Sequence, residues 1–309
     1  MAETVLVTGG SGLVGSAIEA IGDQYPEFSF VYTTHSQCDL TRKDAVEKLF
    51  DAVKPTHVIH AAARVGGIGR NLSSPAQQYL DNILMNAFVI DCANRHNVDR
   101  LLAFSSVCAF PKEAVVLRED ILHAGEPFPA HLSYAYAKRM VDVQIQAYKQ
   151  QYDVDYCSVI PGNMFGEHDN YNLEYGHVIP SLIHKCFLAK RDDEPFYVWG
   201  DGSPLREFLY AKDVARVCVD MLEIEDRLPQ RLIVSGREYS IREIVNNICE
   251  AMDYHNVAWQ TDKPNGQLRR PTDMGLFDSI FPDFQHTPVL EALEKSIQWF
   301  VSNYPEVRI

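Results

Sequence analysis

The sequence predicts an α/β fold: a doubly wound parallel sheet followed by a smaller, mixed C-terminal domain. Three observations carry this expectation. A short β-branched apolar run stops at glycines and gives way to apolar residues at helical spacing; further apolar runs then alternate with helical stretches; and the alternation breaks off near residue 160. Strands separated by helices imply parallel pairing with helices on both faces of the sheet. At 309 residues the chain can bury roughly two domains' worth of core.

Taken in order, Thr4-Val5-Leu6-Val7-Thr8 reads as the first strand, and Leu13, Val14, Ala17 and Ile18 form one face of the helix that follows. The second strand falls at Phe28 to Thr33, the third at Val58 to Ala62 and the fourth at Leu101 to Phe104. A fifth runs from Asp155 to Ile160 and ends at Pro161-Gly162. Beyond it lie the polar stretch His168-Asp169-Asn170-Tyr171-Asn172 and the turn-rich Trp199-Gly200-Asp201-Gly202, which suit a smaller mixed domain. Ser240 and Glu243 have capping-box spacing ahead of Ile244, Val245 and Ile248, so a helix begins there. The chain has no internal repeat and no long linker.

Composition narrows the function classes. Hydrophobic residues make up 46% and charged residues 23%, the balance of a folded globular protein and not of a disordered or collagenous one. The 28 Lys and Arg against 42 Asp and Glu leave a net charge of −14, and no basic run could neutralise a nucleic-acid backbone or an anionic membrane. Neither is an expected partner. A small anionic ligand stays open, because a helix N-terminus can hold one phosphate against the overall field. No run approaches the ~18 apolar residues of a membrane span, and Met1-Ala2-Glu3-Thr4 does not begin a signal peptide. Seven cysteines without a Cys-x-x-Cys pair indicate neither a disulfide framework nor a zinc site, so no metal is expected and the cytoplasm is the expected compartment.

Gly9-Gly10-Ser11-Gly12-Leu13-Val14-Gly15 places glycines at 9, 12 and 15 after a strand and at the start of a helix. In that setting the spacing marks a Rossmann dinucleotide site: glycines admit the pyrophosphate, and free amides with the helix dipole balance its charge. A merely tight strand-to-helix turn is the plainer reading. At the end of the second strand, where a carboxylate would bond the adenosine ribose of NAD, stand Thr33, Thr34, His35 and Ser36, which favours NADP(H). Asp39 comes later, and its plainer role is to cap a turn or helix.

Tyr134 and Lys138, four apart in Tyr134-Ala135-Tyr136-Ala137-Lys138, share one face of a predicted helix. An ammonium beside a phenol lowers the phenol's pKa and makes a usable proton donor. Such pairs are common on solvated helices, but this one lies about 30 residues beyond Ser105-Ser106, at the C-terminal end of a strand in a nucleotide fold.

With these features the chain resembles the extended short-chain dehydrogenase/reductases over nearly its whole length. Ala61-Ala62-Ala63-Arg64-Val65-Gly66-Gly67-Ile68, Ser106-Val107-Cys108-Ala109-Phe110-Pro111, Pro161-Gly162-Asn163-Met164-Phe165-Gly166, Gly176-His177-Val178-Ile179-Pro180 and Trp199 through Phe208 narrow the resemblance. They are similar to the branch that uses NADPH for 3,5-epimerisation and 4-reduction of GDP-4-keto-6-deoxy-D-mannose to GDP-L-fucose, working as homodimers. The resemblance implies that Tyr134 is the acid in reduction, that Lys138 holds the nicotinamide ribose and tunes Tyr134, and that Ser106 orients the C4 oxygen. It makes Cys108 a base and His177 an acid on opposite sides of the sugar. A C4 ketone acidifies the hydrogens on C3 and C5, so such a pair can invert both centres through enolates. Each has a plainer reading, since cysteine is among the most buried residue types and a histidine beside Val-Ile-Pro is commonly structural. The other six cysteines read as packing residues.

The resemblance also implies cofactor contacts from the glycine run and from Asp39, Leu40, Lys138, Pro161, Gly162, Asn163, Met164 and His177. Nucleotide-sugar contacts fall to Asn163, Lys185, Trp199, Arg206 and Asn265, with Lys185 and Arg206 on the diphosphate, although Lys185 on a helix could be simply solvated. Dimer contacts are implied for residues 82 to 96 and 134 to 150. The chain then divides into a dinucleotide-binding part, 1–160, and a mainly substrate-binding part, 161–309, with the stretch around 207–235 returning to the first. Four departures from the family pattern adjoin the site: Glu167 for proline, Gly162 for threonine, Val107 for a small polar residue, and Asn265 for an aspartate expected at the guanosine. Asparagine lacks the paired acceptors that would read guanine N1-H and N2-H together. Another keto-sugar epimerase/reductase, a 4,6-dehydratase and a simple 4-epimerase share the fold; a dehydratase should carry an acid where Val107-Cys108 stands. A non-catalytic nucleotide sensor would need none of Ser106, Cys108, Tyr134, Lys138 and His177 together.

Overall fold

The computed structural model describes residues 3–66, 73–263, 265 and 267–309. Strands β1 (Glu3–Thr8), β2 (Phe28–Thr33), β3 (His57–His60), β4 (Arg100–Phe104) and β5 (Asp155–Pro161) come first; β6 (Asn163–Phe165), β7 (Phe196–Trp199), β8 (Leu205–Tyr210), β9 (Arg231–Val234), β10 (Arg237–Ser240) and β11 (Val257–Gln260) follow. Six of them form a parallel sheet in the order β2-β1-β3-β4-β5-β9. The five strands expected from the apolar runs are present, within a residue or two at their ends.

Side chains alternate across this sheet as the period of two demands. Val5, Val7, Ile59, Leu102, Phe104 and Val159 pack on one face against the Leu13–Ile21 and Ala211–Glu223 helices. Leu6, Val58, Leu101, Ala103 and Tyr156 pack on the other against the Lys43–Val53, Pro75–Arg95 and Leu132–Tyr152 helices. Because β2 and β3 flank β1, the chain leaving β1 runs to one face and the chain leaving β3 runs to the other. That divergence opens a crevice at the C-terminal edge of the sheet, where α/β folds bind ligands.

The remaining strands make two small sheets, β10-β8-β6 and β11-β7. They share a core with the Val178–Asp192, Ile241–Met252 and Val289–Asn303 helices, built on Phe165, Tyr171, Phe196, Ile244, Ile248 and Phe300. The helix expected at Ser240 starts there: Ser240 Oγ accepts the Glu243 amide at 3.1 Å, and Glu243 Oε2 accepts the Ser240 amide at 2.7 Å. β9 pairs with β5, and the Ala211–Glu223 helix shares the core of the Leu13–Ile21 helix, so the chain crosses back to the large sheet between its two visits to the small ones. Among the described residues no helix is long and apolar enough to cross a membrane.

Candidate active site

The glycine turn is built by close backbone approach. Gly9 has φ +76°, and a Cβ there would lie 2.9 Å from Ala62 Cα. A Cβ on Gly15 would lie 2.4 Å from Gly9 O and 2.6 Å from Gly10 Cα. Gly12 caps the Leu13–Ile21 helix with extended backbone and no side chain, so the first-turn amides face the crevice. The turn leads into a cleft of about 430 Å³ lined by Gly10, Ser11, Ser16, Tyr32, Thr34 and Gln37 among others. At its far end Thr34 Oγ1 bonds both Gln37 Oε1 and Ser36 Oγ at 3.0 Å. Hydroxyls and an amide therefore stand where NAD would need a carboxylate, and this fits the extra phosphate of NADP. Asp39 and Leu40 are engaged elsewhere through their side chains. The Asp39 carboxylate accepts from the Thr41 amide and hydroxyl at 3.0 and 2.7 Å, and Leu40 is buried in the core. Pro161 closes β5, Gly162 donates its amide to Val234 O at 2.8 Å, and Asn163 and Met164 open β6, all at the C-terminal edge.

The groups expected to handle protons converge at the ends of β4 and of the Leu132–Tyr152 helix, His177 apart. Ser106 Oγ accepts the Cys108 amide at 3.2 Å, capping a short 3-10 turn over Val107–Ala109. Lys138 is 2% exposed and donates from Nζ to Phe104 O at 2.7 Å, 6.0 Å from the centre of the Tyr134 ring. Burial lowers its pKa to about 8. Tyr134 departs from expectation: burial, helped by Cys108, raises its pKa, and the hydrogen bond with Ser106 opposes this only in part. The lysine is spent on a carbonyl, so in this state desolvation outweighs the ammonium. Burial also raises Cys108, against the pull of Ser106 and Arg270. Cys108 alone of the seven cysteines is partly exposed; the other six are buried in the cores.

Around these groups lie residues that sequence reading passed over. His60 bridges Thr8 Oγ1 at 2.7 Å and Asn86 Oδ1 at 3.0 Å, and burial with the nearby Lys138 charge pushes its pKa down to about 3, so the ring stays neutral. Arg139 grips the carbonyls of Ala109 and Gly125. Arg270 donates to Pro111 O at 2.6 Å, and its Nε is buried without a partner among the described residues. A histidine inside an apolar strand and an arginine following Lys138 were the available signals.

His177 caps the Val178–Asp192 helix at the end of a loop of nested asparagine turns. Asn170 Oδ1 accepts the Asn172 amide at 3.1 Å, and Asn172 Oδ1 accepts the Tyr175 amide at 2.7 Å. A Cβ on Gly176 would lie 2.4 Å from Asn172 O, so only glycine closes this loop ahead of His177.

Among the residues expected to meet the nucleotide sugar, Lys185 Nζ lies 5.4 Å from the centre of the Trp199 ring, both lining a second cleft of about 380 Å³ with Leu188, Pro195 and Tyr197. Trp199 is 62% exposed. Arg206 and Asn163 sit on β8 and β6; Asn163 Nδ2 donates to Glu207 O at 2.8 Å. Asn265 Oδ1 accepts the Asp201 amide at 2.9 Å, which ties it to the turn after Trp199. The departures have local partners. A Cβ on Gly162 would lie 2.5 Å from Ser235 Oγ, so a serine hydroxyl occupies the space a threonine would need, and Glu167 bonds Lys212 Nζ at 2.8 Å and the Tyr210 hydroxyl. Gly67 and Ile68 of the third-strand motif, with Pro264 and Gly266 beside Asn265, lie outside the described residues.

Residues 5–239 match the NAD dependent epimerase/dehydratase family. The chain is 39% identical over 311 residues to a GDP-L-fucose synthase of Dictyostelium discoideum, spanning 99% of this chain and 97% of that one. It is 31% identical to the GDP-L-fucose synthase of Escherichia coli, spanning 99% of each. The crystal structure of a GDP-L-fucose synthetase from Naegleria fowleri bound to NADP superposes with a TM-score of 0.94 at 34% identity, over 99% of this chain and 95% of that one. Matched over most of its length by the family and over nearly all of it by these relatives, the chain belongs to the NAD dependent epimerase/dehydratase family, in its GDP-L-fucose synthase branch.

Proposed function

We propose that this protein uses NADPH to epimerise GDP-4-keto-6-deoxy-D-mannose at C3 and C5 and to reduce it at C4, giving GDP-L-fucose. The observation that carries the reading is the meeting of Ser106, Cys108, Tyr134 and Lys138 at one sheet edge, with the single partly exposed cysteine beside Ser106. A dehydratase or simple 4-epimerase has no use for a thiol there.

The glycine turn, the Thr34–Gln37 corner and Lys138 would hold the cofactor. When bound, it supplies the hydride that C4 receives. Ser106 and Tyr134 bond the C4 oxygen, and Tyr134 releases its proton to that oxygen. The Cys108 thiolate removes a proton from C3 or C5; the C–H electron pair enters the enolate, and His177 returns a proton to the opposite face. Thiol and neutral imidazole then re-equilibrate with water. Lys185 and Arg206 would take the diphosphate, with the Trp199 face as a wall near the sugar nucleotide. Asn265 offers one amide where two carboxylate oxygens would pair with guanine, so base discrimination is weaker than an aspartate would give.

The reading assigns 1–160 to dinucleotide binding and 161–309 mainly to substrate, with 207–235 serving the first; β9 in the large sheet supports it. It also makes the protein a homodimer through residues 82 to 96 and 134 to 150, supported by exposed Val143. The cytoplasm suits a chain whose cysteines all carry free thiols. The test is NADPH consumption with GDP-4-keto-6-deoxymannose and stereochemical analysis of the product by NMR. GDP-L-fucose is expected; a product that keeps the manno configuration would refute the epimerase step, and no consumption would refute the whole reading.

A further inference from the structure

Asp169 is 3% exposed. Its Oδ1 lies 3.7 Å from His177 Nδ1 and also accepts the Asn170 amide at 2.7 Å. Its other oxygen, Oδ2, is buried without a hydrogen-bond partner among the described residues. A buried carboxylate left half satisfied is costly, and this one is retained beside an imidazole. The distance is set by backbone, because the asparagine turns run from Asn170 to Tyr175 and Gly176 closes against Asn172 O.

We propose that Asp169 is a positioning residue for His177: it engages Nδ1, turns Nε2 toward the sugar, and holds the ring as the imidazolium that returns protons to C3 and C5. The inference rests on the epimerase reading above. A neutral ring would face the substrate in either of two tautomers; a carboxylate at Nδ1 selects one arrangement and stabilises its charged form.

The charged groups facing His177 are Asp169, from its own loop, and Arg308, from the C-terminal segment. Asp169 prevails over burial and over Arg308, and raises the His177 pKa. The productive state needs a thiolate and an imidazolium together. Burial holds Cys108 above the usual thiol range, so between the two pKa values that state is a minority. Its population grows tenfold for each tenfold fall in imidazolium acidity. In this regime the lower-pH limb of epimerisation belongs to His177.

Two measurements test the pair, on full-length protein with NADPH. The first follows incorporation of solvent deuterium at C3 and C5 of GDP-4-keto-6-deoxymannose across pH. Asp169→Asn should lower the plateau roughly tenfold or more, short of the 10²–10⁴ lost with the acid itself. It should also move the lower limb to lower pH, and Asp169→Glu should restore both in part. The second is the NMR titration of the His177 ring, identified by its loss in His177→Gln; Asp169→Asn should shift it to lower pH. A lower plateau with limb and titration unmoved would mean that Asp169 only supports the loop, and would overturn the proposal, as would unchanged exchange. Should the asparagine variant fail to fold, wild-type protein decides: a His177 that titrates like free histidine overturns the pair. If wild-type protein exchanges neither carbon, the epimerase reading fails while the ring titration still judges the pair.

Discussion

Arg139→Met removes the clamp on the turn that carries Cys108. Arg139 is 5% exposed, packs 5.3 Å from the centre of the Tyr136 ring, and follows Lys138 on the Leu132–Tyr152 helix. Its Nε donates to Ala109 O at 3.0 Å, Nη1 to Gly125 O at 2.9 Å, and Nη2 also to Ala109 O. Methionine keeps most of the stem and removes every donor. A hydrogen bond from a charged donor contributes about 1.5–3 kcal/mol, and a buried carbonyl left alone costs about 1–3 kcal/mol. Two of the three bonds share Ala109 O, so two carbonyls are stranded, not three. Release of the buried guanidinium offsets part of the loss. The expected net is about 2–4 kcal/mol of unfolding free energy. In urea the midpoint should fall with unchanged m, because the surface exposed on unfolding is nearly the same. Deuterium exchange at C3 and C5 should fall more than NADPH affinity, because Ala109 adjoins Cys108 and not the glycine turn. An unchanged midpoint would refute the clamp, and a lowered midpoint with normal exchange would refute its link to Cys108.

Cys108→Ser should cut exchange at C3 and C5 by about 10²–10⁴, since an alcohol is a far weaker base source than a thiol, while hydride transfer from NADPH persists; equal retention of both in a stopped assay would remove Cys108 as the base. Tyr134→Phe should abolish NADPH oxidation and leave exchange largely intact, and undiminished oxidation would remove Tyr134 as proton donor. Gly15→Ala places a methyl 2.4 Å from Gly9 O; overpacking of this kind costs about 1–3 kcal/mol or more, so the Kd for NADPH by fluorescence titration should rise about tenfold or more, and an unchanged Kd would show that the turn yields.

What the amino-acid order determined by itself is whatever depends on near neighbours in the chain. The apolar runs of β1 and β4, the capping box at Ser240, the glycine spacing from Gly9 to Gly15, and the shared helix face of Tyr134 and Lys138 all act over a few residues, and all are legible in the sequence. The parallel order of the sheet followed from helices between strands, because no short turn can join parallel neighbours.

Tertiary structure alone decided the environment of the reacting groups. His60 meets Thr8 across 52 positions and Asn86 across 26. Lys138 donates its hydrogen bond to Phe104 O, and the Tyr134 phenol is raised by burial where spacing alone suggested lowering. Asp39 accepts from Thr41 within its own turn, and Asp169, read only as part of a polar stretch, reaches His177. Desolvation is a sum over every atom that excludes water from a group, and those atoms come from the whole chain. The stretch His168 to Asn172 shows carboxylate and amide side chains in the sequence; only packing against the Tyr171 core made one carboxylate buried, half satisfied and within reach of an imidazole.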